Sequence, residues 1–311
     1  MKKLFLLSII MLVFSRMAIS QEQSAVFSHY YISPILLTPA VAGFNENHQI
    51  QMDIRSQWTG FPGAPKSYYI GYNGPIGKTL GVGASLMSES LGNMNHLRFQ
   101  LNYAFRYAFK NVKFAAGFNT EFHTLKLANS VLEADNIDAG DEIINGAVEG
   151  NRVFDASLGF WSQFKNNTYV GLTFTNLVVA KIGDIESGDP EGSFFKYAAI
   201  NFGHEFEIEP YNFTLQPSIM AHRIKGKPFQ IDFNLIGSFV NDKLIAGVTY
   251  HTGPGDIVGL LLGTNIDVFK LYYSYDVSFQ EIQQYNGGTH EITLLFDFAG
   301  GKNKFDRSNK K

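Results

Sequence analysis

Between Asn95 and Phe109 the chain reads NHLRFQLNYAFRYAF, and its side chains alternate along the whole stretch. Leu97, Phe99, Leu101, Tyr103, Phe105 and Tyr107 share one face. His96, Arg98, Gln100, Asn102 and Arg106 share the other, with Ala104 among them. A period of two is that of a β-strand. The large apolar face has to meet either a protein core or lipid, and the polar face either water or a barrel interior. The same alternation recurs. Ile50, Met52 and Ile54 oppose Gln49, Gln51, Asp53 and Arg55, and Ile292, Leu294, Phe296 and Phe298 oppose Glu291, Thr293 and Asp297. Alternation bounded by turn residues predicts fourteen strands, at 48–58, 67–73, 80–89, 96–109, 112–126, 153–164, 167–176, 194–207, 211–223, 229–240, 243–251, 257–265, 268–277 and 289–298.

The start of the chain bears on the compartment. Lys2 and Lys3 precede an apolar run from Leu4 to Phe14, followed by Ala18-Ile19-Ser20. This has the form of a cleaved secretory signal over 1–20, with maturation at Gln21. The 25 basic residues fall to 22 once Lys2, Lys3 and Arg16 leave with the signal, against 28 acidic ones. That balance gives no footprint for nucleic acid. The chain has no cysteine, so disulfides, thiolate metal sites and lipid attachment through cysteine are excluded together. No mature segment approaches 18 continuous apolar residues, which excludes helical spans. The chain still carries 28 Phe and 15 Tyr at a mean hydropathy of −0.05. Abundant aromatics, moderate hydropathy and alternation together describe a membrane β-barrel.

The connections give an independent signal. Those after the even-numbered strands are tight: 74–78, 110–111, about 166, 209–210, 241–242 and 266–267. Those after the odd-numbered strands vary and are often long: 59–66, 90–95, 127–152, 177–193, 224–228, 252–256 and 278–288. Outer-membrane barrels have this asymmetry, with short periplasmic turns and longer extracellular loops. An unpaired backbone group in hydrocarbon costs several kcal/mol, so such a sheet has to close. The fold expected is therefore all-β, a transmembrane antiparallel barrel of about fourteen strands over 48–298 in the outer membrane. A leader precedes it over 21–47 and a polar tail follows over 299–311. Pro34 and Pro39 argue against regular structure in the leader, which could run beneath the barrel or plug its lumen.

Several segments resemble one family. The leader motif SPILLTPAVAG and the first loop RSQWTGFPGAPKS, with Arg55, Trp58, Phe61, Gly63 and Pro65, are similar to the PorP/SprF family of type IX secretion outer-membrane proteins. GPIGKTLGVGASLMSESLGNMN and LNYAFRY resemble its next hairpin, and YSYDVSFQEIQQYNGGTHEITLLFDF its closing one. The resemblance runs from about Phe27 to Phe298. The family pattern favours Asn before both leader prolines, where this chain has Ser33 and Thr38. The resemblance implies a barrel without catalytic residues or cofactors. Its partners would be a large secreted adhesin-like protein, including gliding-motility adhesins, and type IX secretion components. It would help such a protein through export or anchor it at the cell surface, within outer-membrane lipid.

Loop 127–152 gathers Glu133, Asp135, Asp138, Asp141 and Glu142, but lacks the alternate-ligand pattern of a calcium loop. It reads first as a solvated acidic loop and a place for partner contact. GxSxG, HExxH and phosphate-loop motifs are absent, and none of the eight histidines has metal-ligand spacing to another. His96 and Arg98, like Glu121 and His123, share inward faces and read as luminal charge networks with Asp53, Arg55 and Arg106. Two rival functions follow. A small-solute channel or transporter would conduct in planar bilayers. A lipid-acting barrel enzyme would depend on His96 or His123.

Overall fold

The computed structural model describes residues 27–132, 141–182, 197–223, 229–253 and 256–298. Fourteen antiparallel strands close into one barrel: β1 His48–Ser56, β2 Lys66–Ile76, β3 Leu80–Leu91, β4 Met94–Ala108, β5 Val112–Leu127, β6 Asn151–Phe164, β7 Thr168–Thr175, β8 Tyr197–His204, β9 Phe213–Arg223, β10 Gln230–Phe239, β11 Leu244–His251, β12 Ile257–Ile266, β13 Phe269–Ser278 and β14 Thr289–Phe298. Each strand pairs with its neighbours in sequence, and β8 continues into a short ladder at Phe206–Ile208. Closure comes from β1 and β14, which pair from His48↔Phe298 to Ser56↔His290. No helix of the described residues is long and apolar enough to cross a membrane, so the strands carry the apolar surface.

That surface faces outward as the alternation predicts. Along β1, Met52 and Ile54 are exposed while Gln51, Asp53 and Arg55 are buried. Leu97, Phe99, Phe105 and Tyr107 are exposed on β4, whereas Asn102, Ala104 and Arg106 are buried. An exposed Phe or Leu row would be a liability in water, and in lipid it is the favourable face. Rings with polar tips stand at both ends of this face. At the short-turn end His48 stacks on Tyr72 and Phe298. At the long-loop end the Tyr273 hydroxyl lies 2.8 Å from His290 Nδ1. Such groups suit the two interfaces of a bilayer, where an apolar body meets a wet edge.

Two connections differ from expectation. In place of a loop over 90–95, β3 runs to Leu91 and β4 starts at Met94, leaving Gly92-Asn93 as a two-residue turn with Gly92 at φ +55°. Polar side chains there lowered the apparent alternation, but the ladder continues through them. The span 177–193 also holds a short ladder, Ala180–Lys181, against β6. Asp155 organises this turn, accepting from Asn176 Nδ2 at 2.8 Å and from the Val178 and Val179 amides.

The leader enters the barrel. Residues 27–47 form three short 3₁₀ turns, Ser28–Tyr31, Pro34–Leu36 and Pro39–Val41, the last two opened by proline. Proline at the first helical position has its φ already set and no amide to satisfy. Phe27 packs near Tyr69 and Met87, towards the long-loop end. Phe44 lies against Ala115 and Trp161, beside the short-turn end. The leader thus traverses the lumen from one end to the other before β1 begins.

Candidate functional site: a lumen filled by the leader

The inner wall has two characters. On β3 to β6, small residues stand directly opposite one another: Gly81↔Ala104, Ala104↔Gly117 and Gly117↔Gly159. The leader backbone rests on this row. A Cβ added at Gly81 would lie 1.8 Å from Ala42 O, one at Gly117 2.7 Å from the Ala40 backbone, and one at Gly159 2.2 Å from Thr38 Oγ1. Glycine inside a strand marks such a close approach of another backbone. Gly43 makes the bend at the foot of the leader with φ +60°, and a side chain there would collide with the Gly74 carbonyl. Two cations clasp this end. Arg106 Nη1 donates to Gly43 O at 2.6 Å, and Lys113 Nζ donates to Phe44 O while lying 4.6 Å over the Phe44 ring.

The opposite wall reaches towards the leader with side chains. Met220, Ile236, Ile245, Leu261, Tyr272 and Leu295 point inward and bury Tyr30 and Tyr31, with Ile32, Leu36 and Leu37 packed against them. This lumen is therefore partly an apolar core, which departs from the polar interior that alternation suggested. A cavity lined by Tyr30, Tyr31, Trp161, Tyr169 and Asn234 remains beside it, with about 10 Å³ of space, roughly one water.

Two charged networks complete the seat. Asp232 accepts from the Tyr30 hydroxyl at 2.8 Å and faces His222 Nε2 at 3.1 Å and His251 Nδ1 at 2.8 Å. Nearer the β1–β14 seam, Arg55 pairs with Glu291 at 2.6 Å and Asp276 at 3.1 Å. Glu291 also accepts the amides of Ser28 and His29, at 2.8 and 3.0 Å. Thr293 Oγ1 donates to Asp53 and lies 2.7 Å from His29 Nδ1. Ser33 Oγ donates to Gln51, which donates in turn to Asp53. A buried ion pair is costly to break because the remaining charge is left without water. These networks hold the leader in one register.

The residues singled out in the sequence fall into separate places. Arg55 belongs to the luminal network. Trp58, Phe61, Gly63 and Pro65 build the first loop, closed by Phe61 N→Trp58 O, Ala64 N→Phe61 O and Gln57 N→Pro65 O. The loop is tied to its neighbours through Thr59 N→Gly288 O at 2.9 Å, Gly287 N→Thr59 O at 2.7 Å and Gly92 N→Gly63 O at 2.9 Å. Phe61 remains exposed, as do Phe279 and Tyr285. Asp141 caps the helix α1 Glu142–Glu149, accepting from the Ile143 and Ile144 amides. Asp135 and Asp138 lie outside the described residues, as do the signal segment, 21–26 and the tail. His123 pairs with Glu121 at 3.2 Å, Arg98 Nε lies 3.1 Å from Glu121, and His96 faces Glu89 at 3.8 Å, an inward ion network. Sequence reasoning missed Gly81, Gly117 and Gly159 as the leader's seat, although inward glycines in otherwise bulky strands were a readable signal. It also missed His29, Tyr30 and Asp232, whose contacts span more than 200 residues.

Comparison with solved structures returns membrane barrels of low identity. The KdgM porin is 9% identical over 81% of this chain and 99% of its own, with a TM-score of 0.41. A TodX monoaromatic hydrocarbon channel mutant from the same comparison is 12% identical over 89% and 95%, with a TM-score of 0.49. CdiB from Acinetobacter baumannii is 11% identical over 81% and 60%, with a TM-score of 0.47. No curated protein matches in sequence. The family model for the type IX secretion system membrane protein PorP/SprF matches residues 19–296, most of the chain. With an apolar outer band, a closed fourteen-stranded wall and that match, the chain belongs to the PorP/SprF family of type IX secretion outer-membrane β-barrels.

Proposed function

We propose that this barrel acts without catalysis, as the outer-membrane partner of a large type IX-secreted surface protein that it helps to export or anchors at the cell surface. The observation that carries the reading is the filled lumen. The leader occupies the barrel from end to end, sealed by apolar packing on one wall and backbone contact on the other. A barrel stoppered in this way has little to offer a diffusing solute, so its useful surface is the rim. The first, second and seventh loops are tied into one platform that presents Phe61 and Tyr285. Aromatic groups on a rigid base are the usual anchors of protein contacts.

The test is affinity capture of a tagged copy from gently solubilised, crosslinked outer membranes, quantified by mass spectrometry against an untagged control. Enrichment of one large secreted protein, with or without type IX components, is the expected result. Enrichment of neither would overturn the proposal. Steady conductance by the intact protein in planar bilayers would favour the small-solute channel instead.

A further inference from the structure

The outer luminal network has more negative charge than its own cation balances. Asp53, Asp276 and Glu291 are each almost completely buried, and Arg55 is the guanidinium that reaches two of them. Among the described residues, Asp276 Oδ1 has no hydrogen-bond partner. Three buried carboxylates outnumber the one arginine, and His29 Nδ1, 3.4 Å from Glu291, is the other basic group beside them, where an unbalanced charge is strongly disfavoured. His29, Asp53 and Glu291 each present one donor atom, and these atoms all lie within 4.8 Å of one another. The donors are one imidazole nitrogen and two carboxylate oxygens, drawn from the leader, β1 and β14. This mixed set suits a divalent transition ion such as Zn²⁺ better than calcium, which prefers an all-oxygen shell. A separate observation lies within the cluster: His29 is fully buried, and among the described residues its Nε2 has no hydrogen-bond partner.

We infer that His29, Asp53 and Glu291 form a divalent metal site that pins the leader across the β1–β14 seam. The ion would neutralise the network with His29 uncharged, and it would join the plug to the strands that close the barrel. Ion binding to the folded barrel alone would stabilise it by mass action.

The experiment uses the full chain, extracted from outer membranes in detergent without chelator. Metal content is measured by plasma mass spectrometry, and the thermal midpoint is followed with EDTA and with added Zn²⁺. Expected are equimolar divalent metal, a lower midpoint after chelation, and recovery with Zn²⁺. H29Q and D53N should lose both the metal and the response to Zn²⁺, while H222Q in the other network keeps them. D53N is the milder of the two, because its amide keeps the size of the carboxylate and alters no leader residue. The proposal is overturned if the wild type carries no divalent metal and does not respond to Zn²⁺ or Mn²⁺. It is equally overturned if H29Q and D53N keep the metal, since the ion is then adventitious and protons balance the charge.

Discussion

From residue 27 to 33 the leader is held by side chains that reach it: Glu291 on its amides, Asp232 on Tyr30, Gln51 on Ser33. From 38 to 44 it is held largely where side chains are missing, on the row Gly81, Ala104, Gly117 and Gly159. The first region selects by charge and hydrogen bonding, which fix one register and penalise loss of either partner. The second selects by shape and admits a backbone only where no Cβ stands in its way. One segment is thereby located along the barrel axis by electrostatics and against the wall by sterics.

Breaking the charged region should have the largest effect. Arg55→Ala strands Glu291 and Asp276 without their guanidinium and should cost about 3–5 kcal/mol, read as a drop in the urea midpoint of the detergent-folded barrel. A midpoint unchanged from wild type would mean that the network does not hold the leader. The steric region should respond somewhat less. Gly117→Val drives a branched side chain into the Ala40 backbone, at roughly 1–3 kcal/mol for overpacking. Its signature should differ from that of Arg55→Ala, with channel openings in planar bilayers as the leader lifts from the wall. A silent bilayer would show that the leader stays seated.

Two further changes sharpen the contrast. Tyr30→Phe removes one hydroxyl from Asp232 and should cost about 1.5–3 kcal/mol, the range for a hydrogen bond to a charged group, with no conductance. Phe61→Ala lies on the rim, outside both regions, and should change stability by less than about 0.5 kcal/mol. If the proposed function is right, that variant should nevertheless capture less of the secreted partner. Equal capture would move the contact elsewhere on the rim.

Much of the barrel wall was readable because a period of two is a local property. β4 and β14 declare their lipid faces within fifteen residues of sequence, and the contrast between tight and long connections sets which end is which. The turn at Gly92-Asn93 was not readable, because Ser88, Ser90 and Asn95 break the apolar row while the backbone ladder runs on. Luminal apolar residues were also hidden. Leu295 sits in the same row as Glu291, Thr293 and Asp297, and alternation gives it no reason to be apolar until Tyr31 and its neighbours are beside it.

The strand pattern, the face turned to lipid and the family are written locally, since each rests on neighbours a few residues apart. What fills the lumen is settled by long-range contact. The leader's partners lie up to 264 positions away, as His29 does from Thr293, and nothing in local spacing encodes a contact that exists only once β14 closes on β1. Barrel closure brings the chain's two ends together, and the charges, small residues and donor atoms that hold the leader become a site only at that step.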